Sequence, residues 1–187
     1  MRSLSPSAPQ SSEYDSYYSR YISLVPQGDI VSLLAQQAED TAEALSQLSE
    51  RAASFRYAPG KWTIKQVLGH VIDCERVFAY RALRIARDDR TPLEGFEQDD
   101  YVVHGPFAAL SLAQLVEEFT AVRRATVLLF RHLTPDVWDR RGSADNKEMT
   151  VRGAAYIIAG HELHHRRILE EKYLSASGET GKAVGNS

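Results

Sequence analysis

Apolar residues recur every three to four positions in four long segments of the chain, which is the spacing of one buried helix face. The first helix is predicted to begin after Asp29, a residue type that favours the N-cap position. The second begins after Thr63, which forms a T-x-x-Q capping box with Gln66, and runs to about Asp88. The apolar stripes of these two helices comprise Ile30, Leu33, Leu34, Ala38, Thr41, Leu45 and Leu48 in the first, and Ile64, Val67, Val71, Cys74 and Phe78 in the second.

A third helix opens with another capping box, formed by Ser111 and Gln114, and is stopped by Thr134-Pro135. The fourth helix follows Thr150. Their stripes comprise Leu115, Val116, Phe119, Val122, Thr126, Leu129 and Leu133 in the third, and Val151, Ala154, Ala155, Ile158, Ile168 and Leu169 in the fourth. Four long amphipathic helices without a convincing alternating strand predict an all-α fold, a four-helix bundle.

The two ends of the chain have the composition of disordered segments. Residues 1–12 are rich in Ser and Pro, and residues 175–187 are rich in Gly and Ser. We therefore predict one bundle domain over residues 13–174 between two disordered tails.

The connection between the second and third helices is long. Residues 89–110 carry Pro and Gly, and we expect them to be irregular. The length suggests a functional or crossover loop, in which Tyr101 and His104 could reach a substrate, although the composition is equally that of a surface loop.

Composition and charge narrow the class of protein. The 187 residues are 43% hydrophobic and 25% charged, which is ordinary for one globular domain. A net charge of −3 and a pI near 6.1 provide no positive field for nucleic acid or an anionic membrane. The basic pairs Arg123-Arg124 and Arg166-Arg167 are expected on solvated helix faces. A single cysteine, an N-terminus without an apolar signal core and the lack of a membrane-length apolar run favour the cytoplasm.

The pentapeptide from His161 to His165 fits H-E-x-x-H, the helical motif of zinc proteases with Glu162 as base. The longer protease motif would need glycine at position 168 and histidine at position 171, but the chain has Ile168 and Glu171 there. No strand is predicted on which a peptide substrate could lie. We therefore interpret the match as a histidine pair with a neighbouring glutamate rather than as a protease signature.

His161 and His165 interrupt the apolar stripe of the fourth helix, and a buried imidazole needs partners for its ring nitrogens. Two interpretations stay open: each ring is hydrogen-bonded to a facing helix, or the pair shares a tetrahedral metal ion. A third ligand could be His70, at the edge of the apolar face of the second helix. Cys74, one turn further on, is either a rival ligand or a core residue.

The other histidines are weaker candidates for the third ligand. His132 is expected to face solvent, and His104 lies in the long connection without an anchor. His164 lies about 60° from the His161 face, which favours a position at the rim of the site or in an interface.

Three stretches of the chain resemble one family. They are "YAPGKWTIKQVLGHVIDCERVFAYRALRIARDD", "GFEQDDYV" and "MTVRGAAYIIAGHELHHRRIL". Together they are similar to the DinB superfamily, in particular its YfiT-like branch of metal-dependent hydrolases, from roughly Tyr14 to Tyr173. One histidine after the "GKW" element, followed after a long separation by H-x-x-x-H, carries most of the resemblance.

The resemblance implies a four-helix bundle with a crossover connection, often dimeric, that holds a divalent metal on His70, His161 and His165. Zinc is the expected ion, with nickel, manganese or iron as alternatives. Characterised relatives include thiol-dependent transferases and a thiol-dependent isomerase. Arg166 and Arg167 stand where many relatives have small and amide residues. The resemblance therefore does not imply that this protein shares a substrate with those relatives.

Two hypotheses about function result. The first is an enzyme that uses the metal to activate a low-molecular-weight thiol, as an S-transferase, or water, as a hydrolase, on a small-molecule substrate. The second is a non-catalytic bundle with a structural metal or three buried histidines. The catalytic candidates are Asp73, Glu162 and Tyr101, with Glu75 further round its helix; for each carboxylate, a solvated surface position is the simpler expectation. A homodimer is compatible with either hypothesis.

Overall fold

A computed structural model describes residues 6–174 of the chain. Helices form most of these residues: α1 Ser19–Ile22, α2 Ile30–Ser46, α3 Glu50–Ala53, α4 Ile64–Ala86, α5 Gln98–His104, α6 Leu112–Arg131 and α7 Val151–Ile168. A two-stranded antiparallel sheet comprises β1 Arg141–Ala144 and β2 Lys147–Thr150. Short 3-10 turns lie at Ser11–Glu13, Ser16–Tyr18 and Pro135–Val137, and a π-helical segment, Leu169–Leu174, continues α7.

The four predicted helix starts are confirmed by their caps. Backbone N–H groups of the first turns donate to the side chains of Asp29, Thr63, Ser111 and Thr150, and the capping boxes with Gln66 and Gln114 are both closed. The predicted end of α4 is two residues too late. The helix ends at Ala86 because Asp88 adopts a positive φ of 57°, which cannot continue a right-handed helix.

The four long helices form a bundle in which each helix has two neighbours. Helix α2 packs against α6 and α7, and α4 packs against the same two helices. The pairs α2/α4 and α6/α7 therefore lie across the diagonals of the bundle. As a result, the connections from α2 to α4 and from α6 to α7 cross the bundle, whereas the long connection after α4 joins two neighbouring helices.

Helix α7 is the most buried element. All residues from Gly153 to Glu162 are buried, because α4, α2 and α1 all pack on this part of the helix. An amphipathic stripe is therefore a poor description of α7, which is buried on every side over these residues. No helix within residues 6–174 is long and apolar enough to cross a membrane.

The β-hairpin is not predicted by the apolar pattern. Its two-residue turn consists of Asp145 and Asn146, both with positive φ, as the tight hairpin turns require. Strand β1 packs on α4 at Gly142, where a Cβ atom would lie 2.5 Å from Ile85. The four-residue strands are too short for an alternating apolar pattern to be recognised. The turn residues Asp145 and Asn146 are the part of the sequence that indicates a hairpin here.

The connection over residues 89–110 is less irregular than expected, because it contains α5. Val102 and Phe107 bury their side chains in the core, and the Phe107 ring packs directly on Gly69 of α4. This packing fixes the connection against the helix that carries His70.

The N-terminal segment, residues 11–22, lies across α7 and is ordered from its first turn. Glu13 is 4% exposed, forms an ion pair with Arg152 at 2.6 Å and accepts a hydrogen bond from Thr150 at 3.1 Å. Ser11 and Ser12, at the end of the tail for which the composition predicts disorder, belong to a 3-10 turn together with Glu13. The predicted disordered tail, 175–187, lies outside the described residues.

Candidate metal centre

Three histidines converge between α4 and α7. His161 and His165 lie one turn apart on α7, and His70 faces them from α4. The Nε2 atom of His161 lies 3.1 Å from Nε2 of His70 and 3.1 Å from Nε2 of His165. One ring nitrogen from each histidine can be chosen so that all three lie within 4.8 Å of one another. The structure thus brings together the three histidines that the sequence singled out.

The spacing of these nitrogens fits a tetrahedral ion better than a set of hydrogen bonds. Two nitrogens at about 2.0–2.1 Å from a tetrahedral metal lie about 3.3 Å apart, close to the two observed separations. A neutral imidazole nitrogen either donates one hydrogen bond or accepts one. Nε2 of His161 has two neighbours at 3.1 Å, so it can pair normally with only one of them. Hydrogen bonding between the rings therefore accounts for only one of the two close pairs.

All three imidazoles are held neutral by their surroundings. Burial, with a contribution from His164, lowers the pKa of His70 from 6.5 to about 4. Burial, with His70 and His164, lowers the pKa of His165 to about 3, and burial also lowers the pKa of His161 well below its usual range. Neutral imidazole is the form that donates a lone pair to a metal ion, so the cluster is in its ligating state at pH 7.

Aromatic rings cover much of the cluster. The Trp62 ring lies 4.9 Å from the His70 ring, and the Tyr21 ring lies 5.2 Å from His161 and 5.1 Å from His164. His165 and His164 are only partly buried. The cluster is therefore closed by rings on two sides and approaches solvent at His165.

Cys74 lies on the inner side of His70, with its Sγ atom 3.6 Å from Nδ1. Burial raises the pKa of the Cys74 thiol to about 12, so the sulfur stays protonated in the metal-free protein. Among the described residues, the group of potential ligands that meets at one point contains the three imidazoles without this thiol. The space beneath the cluster, between Cys74 and Ile158, is too narrow for a water molecule.

The catalytic candidates from the sequence do not join the three histidines. Asp73 is half-buried beside His70 but forms an ion pair with Arg76 at 3.4 Å, and burial raises the pKa of its carboxyl group. Tyr101 is 44% exposed on α5, where its ring packs on Phe96. Glu162 faces away from the imidazoles into the bundle, as described below.

The remaining histidines lie outside the cluster, on the protein surface or at the rim. His132 is exposed at the C-terminal end of α6, and His104 is exposed on α5, with Nδ1 2.8 Å from the carbonyl oxygen of Asp100. His164 lies at the rim: burial, followed by the charges of Arg20 and Arg167, lowers the pKa of its imidazole. The surroundings of His164 therefore include the guanidinium of Arg20 and that of Arg167, which is paired with Glu171.

A buried ion network beside the cluster was missed by the sequence analysis. Arg123 of α6 has no exposed surface, and its Nε atom lies 2.8 Å from Glu75 of α4. Its Nη1 atom lies 2.6 Å from Glu162 of α7 and donates to the carbonyl oxygen of Leu34. The expectation of solvated positions is therefore wrong for Arg123, Glu75 and Glu162.

The network carries two carboxylates against one guanidinium. Thr41 donates to Glu162 at 2.6 Å, but burial still raises the pKa of the Glu162 carboxyl group. Nη2 of Arg123 has no hydrogen-bond partner among residues 6–174. One feature of the sequence does indicate this network. On each of three helices, a charged residue follows a residue of the apolar stripe by four positions and so lies on the same helix face: Glu75 after Val71, Arg123 after Phe119 and Glu162 after Ile158.

The lowered pKa values predict that the metal-free protein loses stability as the pH falls from about 6.5 to 4. Between these values the unfolded chain binds protons at His70 and His165 that the folded chain does not, so stability rises with pH across this window and is fully present above 6.5. Urea unfolding at several pH values measures the slope. The His70→Gln variant is expected to have a smaller slope, and equal slopes in both proteins would contradict the assignment.

Comparison with known proteins agrees with this geometry. A sequence profile of the DinB superfamily matches residues 33–169. The chain is 26% identical over 125 residues to a protein of Oceanobacillus iheyensis named as a candidate metal-dependent hydrolase, and the match covers 66% of this chain and 71% of that protein.

Two solved structures share the fold. YfiT from Bacillus subtilis, described as a probable metal-dependent hydrolase with an unusual four-helix bundle topology, matches with a TM-score of 0.69 at 16% identity, over 92% of this chain and 94% of YfiT. The mycothiol-dependent maleylpyruvate isomerase matches with a TM-score of 0.62 at 12% identity, over 78% of this chain and 61% of the isomerase chain. These identities establish the fold alone. Because the profile spans most of the chain, including most of α2 and all of α4, α6 and α7, the chain belongs to the DinB superfamily.

Proposed function

We propose that this protein is a metal-dependent enzyme in which His70, His161 and His165 hold one divalent ion, with zinc as the first choice and nickel, manganese or iron as alternatives. The observation that carries the proposal is the convergence of three neutral, largely buried imidazoles with Nε2 separations of 3.1 Å. Imidazole suits several first-row ions, so the ligand set supports a divalent metal without selecting one. The names of the relatives support the same class of protein.

The nucleophile is proposed to be a low-molecular-weight thiol. A divalent ion on three neutral ligands keeps its full charge and lowers the pKa of a bound water or thiol. Activation of water, with a starting pKa of about 15.7, also benefits from a nearby general base. The nearby carboxylates are already paired: Asp73 with Arg76 and Glu162 with Arg123.

A thiol needs less help, because its pKa of about 8.5 is close to neutral. One fold relative is named as a thiol-dependent isomerase. Within the proposal, Trp62 and Tyr21 exclude water from the inner sides of the cluster, and the partly exposed side at His165 admits a small substrate. Hydrolysis is the second candidate, supported by the names of two relatives.

Metal content tests the site directly. Tag-free protein purified without chelator is expected to contain about one divalent ion per chain, or to take it up on reconstitution. His70→Ala and His165→Ala are each expected to weaken binding by more than about 100-fold, because each removes a ligand, whereas loss of a supporting group alone costs about 10–100-fold. His132→Ala is the matched control, since His132 is exposed at the end of α6.

Two results would contradict the proposal. One is a folded wild-type protein that takes up no divalent ion. The other is uptake that survives in both ligand variants, because the ion would then bind elsewhere. Circular dichroism of each variant separates loss of the site from loss of the fold.

A further inference from the structure

The N-terminal segment contributes residues to the rim of the histidine cluster. Helix α1 packs on α7 at Gly160, where a Cβ atom would collide with the carbonyl oxygen of Tyr21. This close approach places the Tyr21 ring against both His161 and His164. The segment precedes the region matched by the superfamily profile, which begins at residue 33.

Arg20 is held in place next to Tyr21. Its guanidinium lies over the Tyr17 ring, 3.8 Å from the centroid, and its Nε atom donates to the carbonyl oxygen of Tyr17 at 3.1 Å. The guanidinium carbon is 5.6 Å from the centroid of the Tyr21 ring, which also contacts His161. Stacking and one hydrogen bond orient the guanidinium without using its two Nη groups, which make no hydrogen bond within residues 6–174.

Arg20 differs from the other arginines of this rim in having no carboxylate partner. Arg166 pairs with Glu170 at 3.2 Å, and Arg167 pairs with Glu171 at 2.6 Å. Across residues 6–174, no carboxylate lies within ion-pair distance of Arg20. A guanidinium with two free Nη groups binds a carboxylate through two parallel hydrogen bonds.

The charge around the cluster favours an anion. The three proposed ligands are neutral, so a divalent ion would not be compensated by them, and no carboxylate joins their cluster among the described residues. Arg20 lies near the Tyr21 ring, which also contacts His164 at the partly exposed side. An anionic ligand that enters here meets positive charge at both ends.

From these contacts we infer that Arg20 is a specificity-determining residue, which binds a carboxylate group of the small thiol or substrate whose reacting atom lies at the three histidines. The inference rests on the proposed metal site and adds the substrate class, a small molecule with a carboxylate a few bonds from its reacting group. Tyr21 sets the separation between the histidine cluster and the guanidinium of Arg20, because its ring contacts His161 and also lies near Arg20.

Matched pairs of thiols test the inference through binding. Full-length protein loaded with cobalt is titrated with mercaptopropionate and its neutral match mercaptopropanol, and then with the longer pair mercaptohexanoate and mercaptohexanol. Thiolate-to-cobalt charge transfer reports occupancy without any turnover. In at least one pair the carboxylate is expected to bind about tenfold more tightly, the size of one charge-assisted hydrogen bond, and the preference should shrink as salt is added.

Variants assign the preference to Arg20. Arg20→Gln is expected to bind both members of each pair equally, and Arg20→Lys to keep part of the preference because it keeps the charge. Arg131→Gln is the matched control, since Arg131 is exposed in the last turn of α6, whose main contacts are with α2 and α4. The control is expected to keep the full preference.

The outcomes separate this inference from the proposed function. Failure to take up cobalt would overturn the metal site and, with it, the role of Arg20. Binding of cobalt and of neutral thiol without any preference for the carboxylate would overturn the role of Arg20 and leave the proposed function standing. A preference that persists in Arg20→Gln would also overturn it, and binding of no thiol at all would remove both the thiol chemistry and the role of Arg20.

Discussion

Replacing Arg123 with methionine is expected to lower the free energy of unfolding by about 3–5 kcal/mol, the cost of leaving a buried charge without its partner. The substitution would remove the one guanidinium that faces Glu75 and Glu162, both of which are 2% exposed. Neither carboxylate could recover its hydration without opening the contacts of α6 with α2 and α4. Urea unfolding at pH 7 measures the change.

Two controls isolate the charge effect. Arg124 is exposed next to Arg123, so Arg124→Met is expected to change the free energy of unfolding by less than about 0.5 kcal/mol. Neutralising the carboxylates, by Glu75→Gln and Glu162→Gln in the Arg123→Met background, is expected to restore part of the lost stability. An Arg123→Met variant as stable as the wild type would contradict the prediction. It would show that Glu75 and Glu162 do not remain as buried, uncompensated charges when the guanidinium is removed.

The variant Gly160→Ala is expected to destabilise the protein by at least about 2 kcal/mol, as overpacking at a rigid contact does. The new methyl group would meet backbone atoms of Tyr21, which cannot rotate away as a side chain could. Helix propensity alone predicts the opposite sign, because alanine in a helix interior is about 0.5–1 kcal/mol better than glycine. The sign of the change in the free energy of unfolding, measured with urea, therefore decides whether the contact with the Tyr21 backbone or the helix propensity dominates.

The effect of Gly160→Ala in the full chain can be compared with its effect in a chain without the N-terminal segment. In a chain that lacks residues 1–24, Gly160→Ala is expected to be neutral or stabilising, because the clashing backbone is gone. In the full chain, hydrogen exchange over residues 11–22 should become faster in Gly160→Ala. A stabilised full-length variant with unchanged exchange would show that α1 does not pack on Gly160 as described.

The parts of this structure that could be predicted from the sequence depend on local rules. The helix starts followed from side chains that cap the neighbouring backbone, such as Thr63 with Gln66, and these contacts need no tertiary information. The histidine cluster followed from the spacing of His161 and His165 on an apolar stripe. The position of His70 at the edge of the apolar face of its helix points to the third histidine, and the family resemblance implies the same residues.

The parts that could not be predicted depend on contacts between distant segments. The charge of Arg123 predicts a solvated position, and only the approach of α4 and α7 shows that two carboxylates compensate for this charge. Tyr21 and Arg20 precede the predicted helices, and their place beside the cluster depends on the small size of Gly160, a residue 139 positions from Tyr21 in the sequence. A homodimer and a cytoplasmic location stay predictions.

The position of Arg123 also affects how a metal ion would be acquired. Arg123 belongs to α6, which carries none of the three histidines, yet it ties Glu75 of α4 to Glu162 of α7, the two helices that do. Protein contacts thus fix the relative placement of the histidines without an ion, unlike in zinc fingers, where binding the ion is itself the folding step. A site preformed in this way would be able to lose one ion and take up another, so a bound metal would be set by supply and affinity in the cell.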